Sequence, residues 1–111
     1  MKRQDRLRRN NDFQRVRREG KSHASPRLVL AFLQNELAYS RFGFVVSKRL
    51  GKAVRRNKIK RRMREAIRLQ IPYLKPGFDL VLIARQPVNQ ASYAQIEQDL
   101  VNLLTKSDLW L

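Results

Sequence analysis

The sequence predicts a small α+β domain, and three observations carry that prediction. Two apolar runs of strand length, Leu28–Leu33 and Phe78–Ala84, lie far apart in the chain. Apolar residues recur at helical spacing between and after them, over about 54–70 and again from Tyr93 to Leu104. A chain of 111 residues with 42% hydrophobic composition has enough for one modest core, but not for two.

Taken in order, residues 1–9 are polar and basic and read as a flexible arm of a single domain spanning 1–111. Asn10 and Asn11 offer helix caps, and Phe13 and Val16 give a short apolar stripe of about two turns ending near Gly20. His23 falls in a Ser/Ala/Pro-containing loop and reads as an ordinary surface residue. After Ser25-Pro26 comes the first strand, with Leu28, Leu30 and Phe32 on one side and Val29, Ala31 and Leu33 on the other. Gln34-Asn35-Glu36 forms a turn into a second strand over Arg41–Val46, and Gly51 lies in the connection to the long helix. Pro72, Pro76 and Gly77 end that helix. Phe78–Ala84 has the near-continuous apolar character of a strand covered on both faces. Ser92 and Gln95 match a capping box, followed by Tyr93, Ile96, Leu100, Leu103 and Leu104 on one helical face. Read from residues alone, the order is helix, strand, strand, helix, strand, helix.

Charge decides the class of partner. The formal charge is +16, and it is unevenly spread: residues 1–85 hold 24 of the 25 basic residues and six of the nine acids. Such self-repulsion persists where an anionic partner neutralises it, and nucleic acid is the first candidate. The absence of cysteine excludes disulfides and thiolate metal sites. No apolar run approaches the roughly 18 residues of a membrane span, and no hydrophobic signal core follows the basic N-terminus. A soluble cytoplasmic protein is expected, without a membrane role and with no obligate protein partner evident.

The charge peaks between Arg55 and Arg68, where eight residues are basic: Arg55, Arg56, Lys58, Lys60, Arg61, Arg62, Arg64 and Arg68. A step of about 100° per residue puts Ile59, Met63, Ala66 and Ile67 on the side that packs. Asn57, Lys60, Arg61, Arg64 and Arg68 form an adjoining exposed stripe, with Lys58 and Arg62 further round. A merely solvated face would alternate in sign, but only Glu65 is negative here, so like charges one turn apart go uncompensated. Guanidinium groups also suit bidentate phosphate contact and stacking on bases. Charge does not separate RNA from DNA; zinc ligands, a leucine zipper and a helix-turn-helix are all absent from the pattern. Phe13, beside Arg15, Arg17 and Arg18, either stacks on an unpaired base or packs its own short helix.

Several of these segments together resemble one family. Arg56-Asn57-Lys58-Ile59-Lys60-Arg61-Arg62-Met63-Arg64-Glu65, preceded by Phe44-Val45-Val46-Ser47-Lys48-Arg49, is similar to the signature of the bacterial ribonuclease P protein subunit. Asn11-Asp12-Phe13 with Gly20, and Phe78–Arg85, resemble that family's first segment and later strand. The likeness covers roughly residues 5–108.

The resemblance implies a protein partner of a catalytic RNA that removes the 5′ leader of precursor tRNA. It implies a four-stranded sheet packed with about three helices in αβββαβα order, like a ribosomal-protein domain. It also implies a left-handed βαβ crossover, against the right-handed form that general topology favours. By the same likeness, catalytic RNA meets Arg56, Asn57, Lys60, Arg61 and Arg64, within a basic surface that includes Arg55, Lys58, Arg68, Lys48 and Arg49. The leader lies in a cleft at Phe13, Arg17, Val29 and Ala31. Three positions depart from the family habit. Lys58 replaces a frequent arginine, Arg17 a frequent aromatic, and Ala31 a larger aromatic, so the cleft is expected to rely more on charge than on stacking.

Protein-borne hydrolysis needs metal-binding carboxylates or an acid–base pair. His23 has no clustered partner, Asp79 is a lone carboxylate that caps or pairs with an arginine, and no Gly-rich phosphate loop is visible. The chemistry and its Mg²⁺ are therefore expected on the RNA, with no catalytic or metal-ligating residue on the protein. Two rivals remain: a ribosomal or ribosome-assembly protein, and a protein-only nuclease.

Overall fold

Phe78–Ala84 is apolar at every position but Asp79 because it is an inner strand of the sheet, with a helix layer on each face. In the computed structural model, which describes Met1–Leu111, the elements are α1 (Asn10–Glu19), β1 (Lys21–Ala24), β2 (Leu28–Gln34), β3 (Arg41–Val45), α2 (Ala53–Arg68), β4 (Phe78–Ala84) and α3 (Tyr93–Lys106). The architecture is α+β, with one mixed four-stranded sheet in the order β1-β2-β4-β3. β2 pairs antiparallel with both β1 and β4, while β3 runs parallel to β4. A parallel pair needs a long crossover, and α2 supplies it.

The register sorts side chains by face. Leu30 opposite Leu82 and Phe32 opposite Leu80 point with Phe42 toward α2 and α3. Ala31 opposite Val81 points with Leu33, Val45 and Ile83 toward α1. The alternation predicted for Leu28–Leu33 therefore holds, and a one-residue slip would invert both faces. On α2 the buried residues are the expected Ile59, Met63, Ala66 and Ile67. The capping box of α3 also forms: Gln95 N–H donates to Ser92 Oγ at 3.2 Å, and Ser92 N–H donates to Gln95 Oε1 at 2.9 Å. No helix is long and apolar enough to cross a membrane.

Four local expectations change. His23 is not in a loop but in the edge strand β1, exposed, with its ring stacked 6.2 Å from Phe32. Lys21–Ala24 lacks an apolar alternation because one edge is free and its residues are all exposed, so the pattern is silent. The first helix has ten residues rather than two turns, and its N-cap is Arg9, without a side-chain cap bond, rather than an asparagine. Residues 1–9 are docked instead of free. Leu7 is buried, its N–H donates to Phe42 O at 2.9 Å, and Arg6 bridges to Phe42 in parallel at the outer edge of β3. One buried leucine contributes about 2 kcal/mol, and it anchors the arm.

The β3–α2 connection contains a 3-10 turn over Lys48–Leu50 and then Gly51 at φ 133°. L-residues rarely adopt that conformation, and a Cβ there would also meet Arg55 Cδ at 3.0 Å. Gly51→Ala is expected to lower stability by about 1–3 kcal/mol. Urea unfolding reads the change; an unshifted midpoint would show that the connection relaxes freely.

Candidate nucleic-acid interface

α2 is held at its first turn, at mid-helix and along its packed side, which fixes the direction of its outer face. Arg62 Nη1 donates to Ala91 O at 3.3 Å and Arg55 Nη1 to Asn89 O at 3.3 Å, tying the helix to the segment before α3. Arg56 Nε donates to Gly51 O at 3.2 Å across the entry turn. The side chains between these ties stand outward and enclose three shallow hollows. One is lined by Val54, Asn57, Lys60, Arg61 and Arg64. A second is lined by Gly51, Lys52, Val54, Arg55 and Lys58. The third lies between Lys58, Arg61, Arg62, Glu65 and Tyr93. Each hollow shares a residue with the next, so they form one surface. Lys48 and Arg49 are exposed on the turn just ahead of it.

The electrostatics of that surface are one-sided. Of its arginines and lysines only Arg68 forms an ion pair, donating from Nη2 and Nε to Glu65 at 2.6 and 3.0 Å. That contact holds the Glu65 carboxyl below its usual pKa and raises that of Arg68. Arg68 thus stands on the predicted stripe but with its fork already taken, by an exposed pair of the kind a phosphate can displace. At the other end, α2 has no acidic residue in its first turn and no side-chain cap. Lys52, Arg55 and Arg56 crowd the positive end of the helix dipole, an unfavourable arrangement that an anion relieves.

Arg64 is half-buried against an aromatic ring. Its guanidinium lies 5.9 Å from the centroid of Phe44, and its Nε is buried with no hydrogen-bond partner. Burial first, and the charge of Arg6 second, lower its pKa from the ordinary arginine value.

The second site lies on the opposite face of the sheet. Phe13 is half-buried on α1, and a Cβ at Gly43 would come within 2.4 Å of its ring, so the absent side chain is what seats Phe13. Val29 and Ile83 pair across β2 and β4 and are both half-buried; Val45 flanks them on β3. Arg17 is exposed one turn after Phe13. Ala31 is only 4% exposed and packs with Leu7, Val16 and Val81, so it forms floor beneath α1 rather than open lining.

α1 is held over this face by a buried carboxylate. Asp79 is fully buried and accepts from Arg41 Nε and Nη2 at 2.9 and 2.7 Å, from Asn35 Nδ2 at 2.9 Å and from Arg15 Nη2 at 3.3 Å. Burial alone would push its carboxyl up. The bonds from Arg41 and Asn35 and the charges of Arg41 and Arg15 outweigh this and hold it below the usual range.

Three participants escape the sequence pattern. Val54 is 83% exposed between two of the hollows, and its spacing of three and seven residues from Asn57 and Arg61 places it on their stripe. Gly43 has a signal of its own, because an isolated glycine inside a strand marks a close approach. Arg6 has none, since its position depends on how the arm docks.

A family model for ribonuclease P matches residues 1–108. The ribonuclease P protein component of Clostridioides difficile is 41% identical over 104 residues, covering 93% of this chain and 91% of that protein. The corresponding protein of Chloroflexus aurantiacus is 44% identical over 110 residues, covering 98% and 82%. In three dimensions, the Staphylococcus aureus RNase P protein superposes with a TM-score of 0.89 at 36% identity, covering 96% of this chain and 98% of that one. The Thermotoga maritima RNase P protein gives 0.83 at 38% identity, covering 91% and 96%. With its full αβββαβα framework matched and its basic helix in place, the chain belongs to the ribonuclease P protein family.

Proposed function

We propose that this protein is the RNA-binding subunit of a ribonuclease P holoenzyme, with α2 on the catalytic RNA and the Phe13 cleft on the 5′ leader of precursor tRNA. The observation that carries the reading is the α2 surface, where seven basic residues between Arg55 and Arg64 stand without a carboxylate partner. A surface that basic stabilises phosphates brought close together. Cations between the two RNAs reduce their mutual repulsion and raise the local affinity for Mg²⁺ and leader.

The residues present do not offer a protein-borne Mg²⁺ site, since no three carboxylate or histidine side chains come together. Asp79, the one buried carboxylate, has its oxygens occupied by Arg41, Asn35 and Arg15. In this reading bond cleavage, with its Mg²⁺, belongs to the RNA subunit.

Reconstitution with the cognate catalytic RNA tests this. At low Mg²⁺, adding the protein should speed leader removal, and the gain should shrink as monovalent salt rises. Cleavage by RNA-free protein would support a protein-only nuclease instead. Phe13→Ala should weaken binding of precursor tRNA by roughly 1–3 kcal/mol, the range of one base stack, and leave mature tRNA unaffected. Equal losses on both tRNAs would remove the leader from the cleft.

A further inference from the structure

The α2 surface and the Phe13 cleft lie on opposite faces of the sheet, and the edge strand between them, β3, is covered by the docked arm. The sequence pattern treats that arm as a tail. Docking instead gives its arginines fixed places. The bridge to Phe42 sets Arg6 at the outer edge of β3, and burial of Leu7 directs the neighbouring Arg6 and Arg8 to the surface. Two residues along the same strand and on the same face, Phe44 carries the guanidinium of Arg64. Two cations from distant parts of the chain are thus placed along one strand edge, and neither has a carboxylate partner. The buried Nε of Arg64 is left without an acceptor. Beyond Arg6, a crevice continues toward α1 between Arg3, Arg8, Arg9 and Tyr39. Its one acid, Asp12, is already 3.7 Å from Arg41.

We infer that Arg6 and Arg64 jointly clasp one phosphodiester group of the RNA, making the docked arm a second limb of the RNA-binding surface that runs around the β3 edge. Burial first, and the charge of Arg6 second, disfavour the charged form of Arg64 in the free protein. A phosphate between Arg6 and Arg64 accepts from both forks and removes the repulsion between them. The inference rests on the RNA-binding role proposed above and adds to it a contact on the N-terminal segment.

A double-mutant cycle on the full chain tests it, with Arg6→Ala, Arg64→Ala and the double variant binding the cognate catalytic RNA at several salt concentrations. Each single variant should lose about tenfold in affinity, as expected for one charge-assisted contact. The double variant should lose clearly less than the product of the two, because the second arginine has little left to hold once the first is gone. Losses that multiply, or an unchanged Arg6→Ala, would overturn the shared clasp. Arg61→Ala serves as the reference: if it weakens binding while Arg6→Ala does not, only this inference fails, whereas no effect from either sinks the RNA-binding reading as well. Thermal melting of RNA-free protein separates contact from folding. Arg6→Ala should hold or raise the melting temperature by relieving repulsion; a fall would make arm docking the cause of lost binding and overturn the clasp. A loss confined to complexes with leader-bearing precursor tRNA, with binding of the catalytic RNA alone unchanged, would move the contact to the substrate and overturn the clasp on the catalytic RNA.

Discussion

Replacing Arg61 and Arg64 together by alanine is expected to lower affinity for the catalytic RNA by roughly a hundredfold or more at moderate salt, on about tenfold per charge-assisted contact. Both side chains line the same hollow on the outer face of α2, and neither is paired within the protein. Phosphate contact also leaves a mark in the salt dependence. Each lost contact should flatten the slope of log affinity against log salt by roughly 0.7–0.9. Binding isotherms across a salt series read both effects at once, and the same pair of changes should abolish most of the benefit to cleavage at low Mg²⁺. An unchanged slope would mean that these arginines meet no phosphate. The fold should survive, because the packed side of α2 is Ile59, Met63, Ala66 and Ile67, and none of these is touched.

The largest stability effect is expected from Asp79→Asn. The carboxylate is fully buried and joins α1, β3 and the turn at Asn35 through Arg15, Arg41 and Asn35. Removing one charge from a buried network leaves its partners uncompensated and costs about 3–5 kcal/mol. The pH dependence has a definite sign. Because the folded-state pKa of Asp79 is depressed, its stabilisation is fully present above the unfolded value, near pH 4, and is lost as pH falls through the lower folded value. The gap between wild type and Asp79→Asn in urea unfolding should therefore be widest at neutral pH and narrow in acid. A gap that stays constant from pH 7 to pH 3 would show that geometry, and not charge, is what Asp79 supplies. Since the same carboxylate holds α1 over the sheet, the variant should also loosen the seat of Phe13.

The degree to which these sites were legible in the sequence follows from what each depends on. The α2 stripe is a local property: helical spacing alone sorts Asn57, Lys60, Arg61 and Arg64 from Ile59, Met63 and Ile67, and the structure keeps that partition. Arg68 was legible as a position but not as a pair, because an i,i+3 contact with Glu65 depends on side-chain choice. β1 was invisible, since an exposed edge strand carries no apolar alternation. Ala31 illustrates the opposite case. Its face was correctly read, yet whether that face is open or covered depends on where α1 crosses it.

By itself, then, the sequence determined the α+β class, the two-faced β2, the doubly covered β4 and the one-signed face of α2. All of these follow from residue spacing over a few turns or a few strand positions. Tertiary structure alone decided which residues meet across the chain: Gly43 beneath Phe13, three elements on Asp79, and the arm along β3 with Arg6 beside Phe42. Those meetings rest on long-range packing and strand order, which local periodicity does not encode. The basic arm shows the difference most plainly. Its charge was countable from the first nine residues, but a single buried leucine determined where that charge stands.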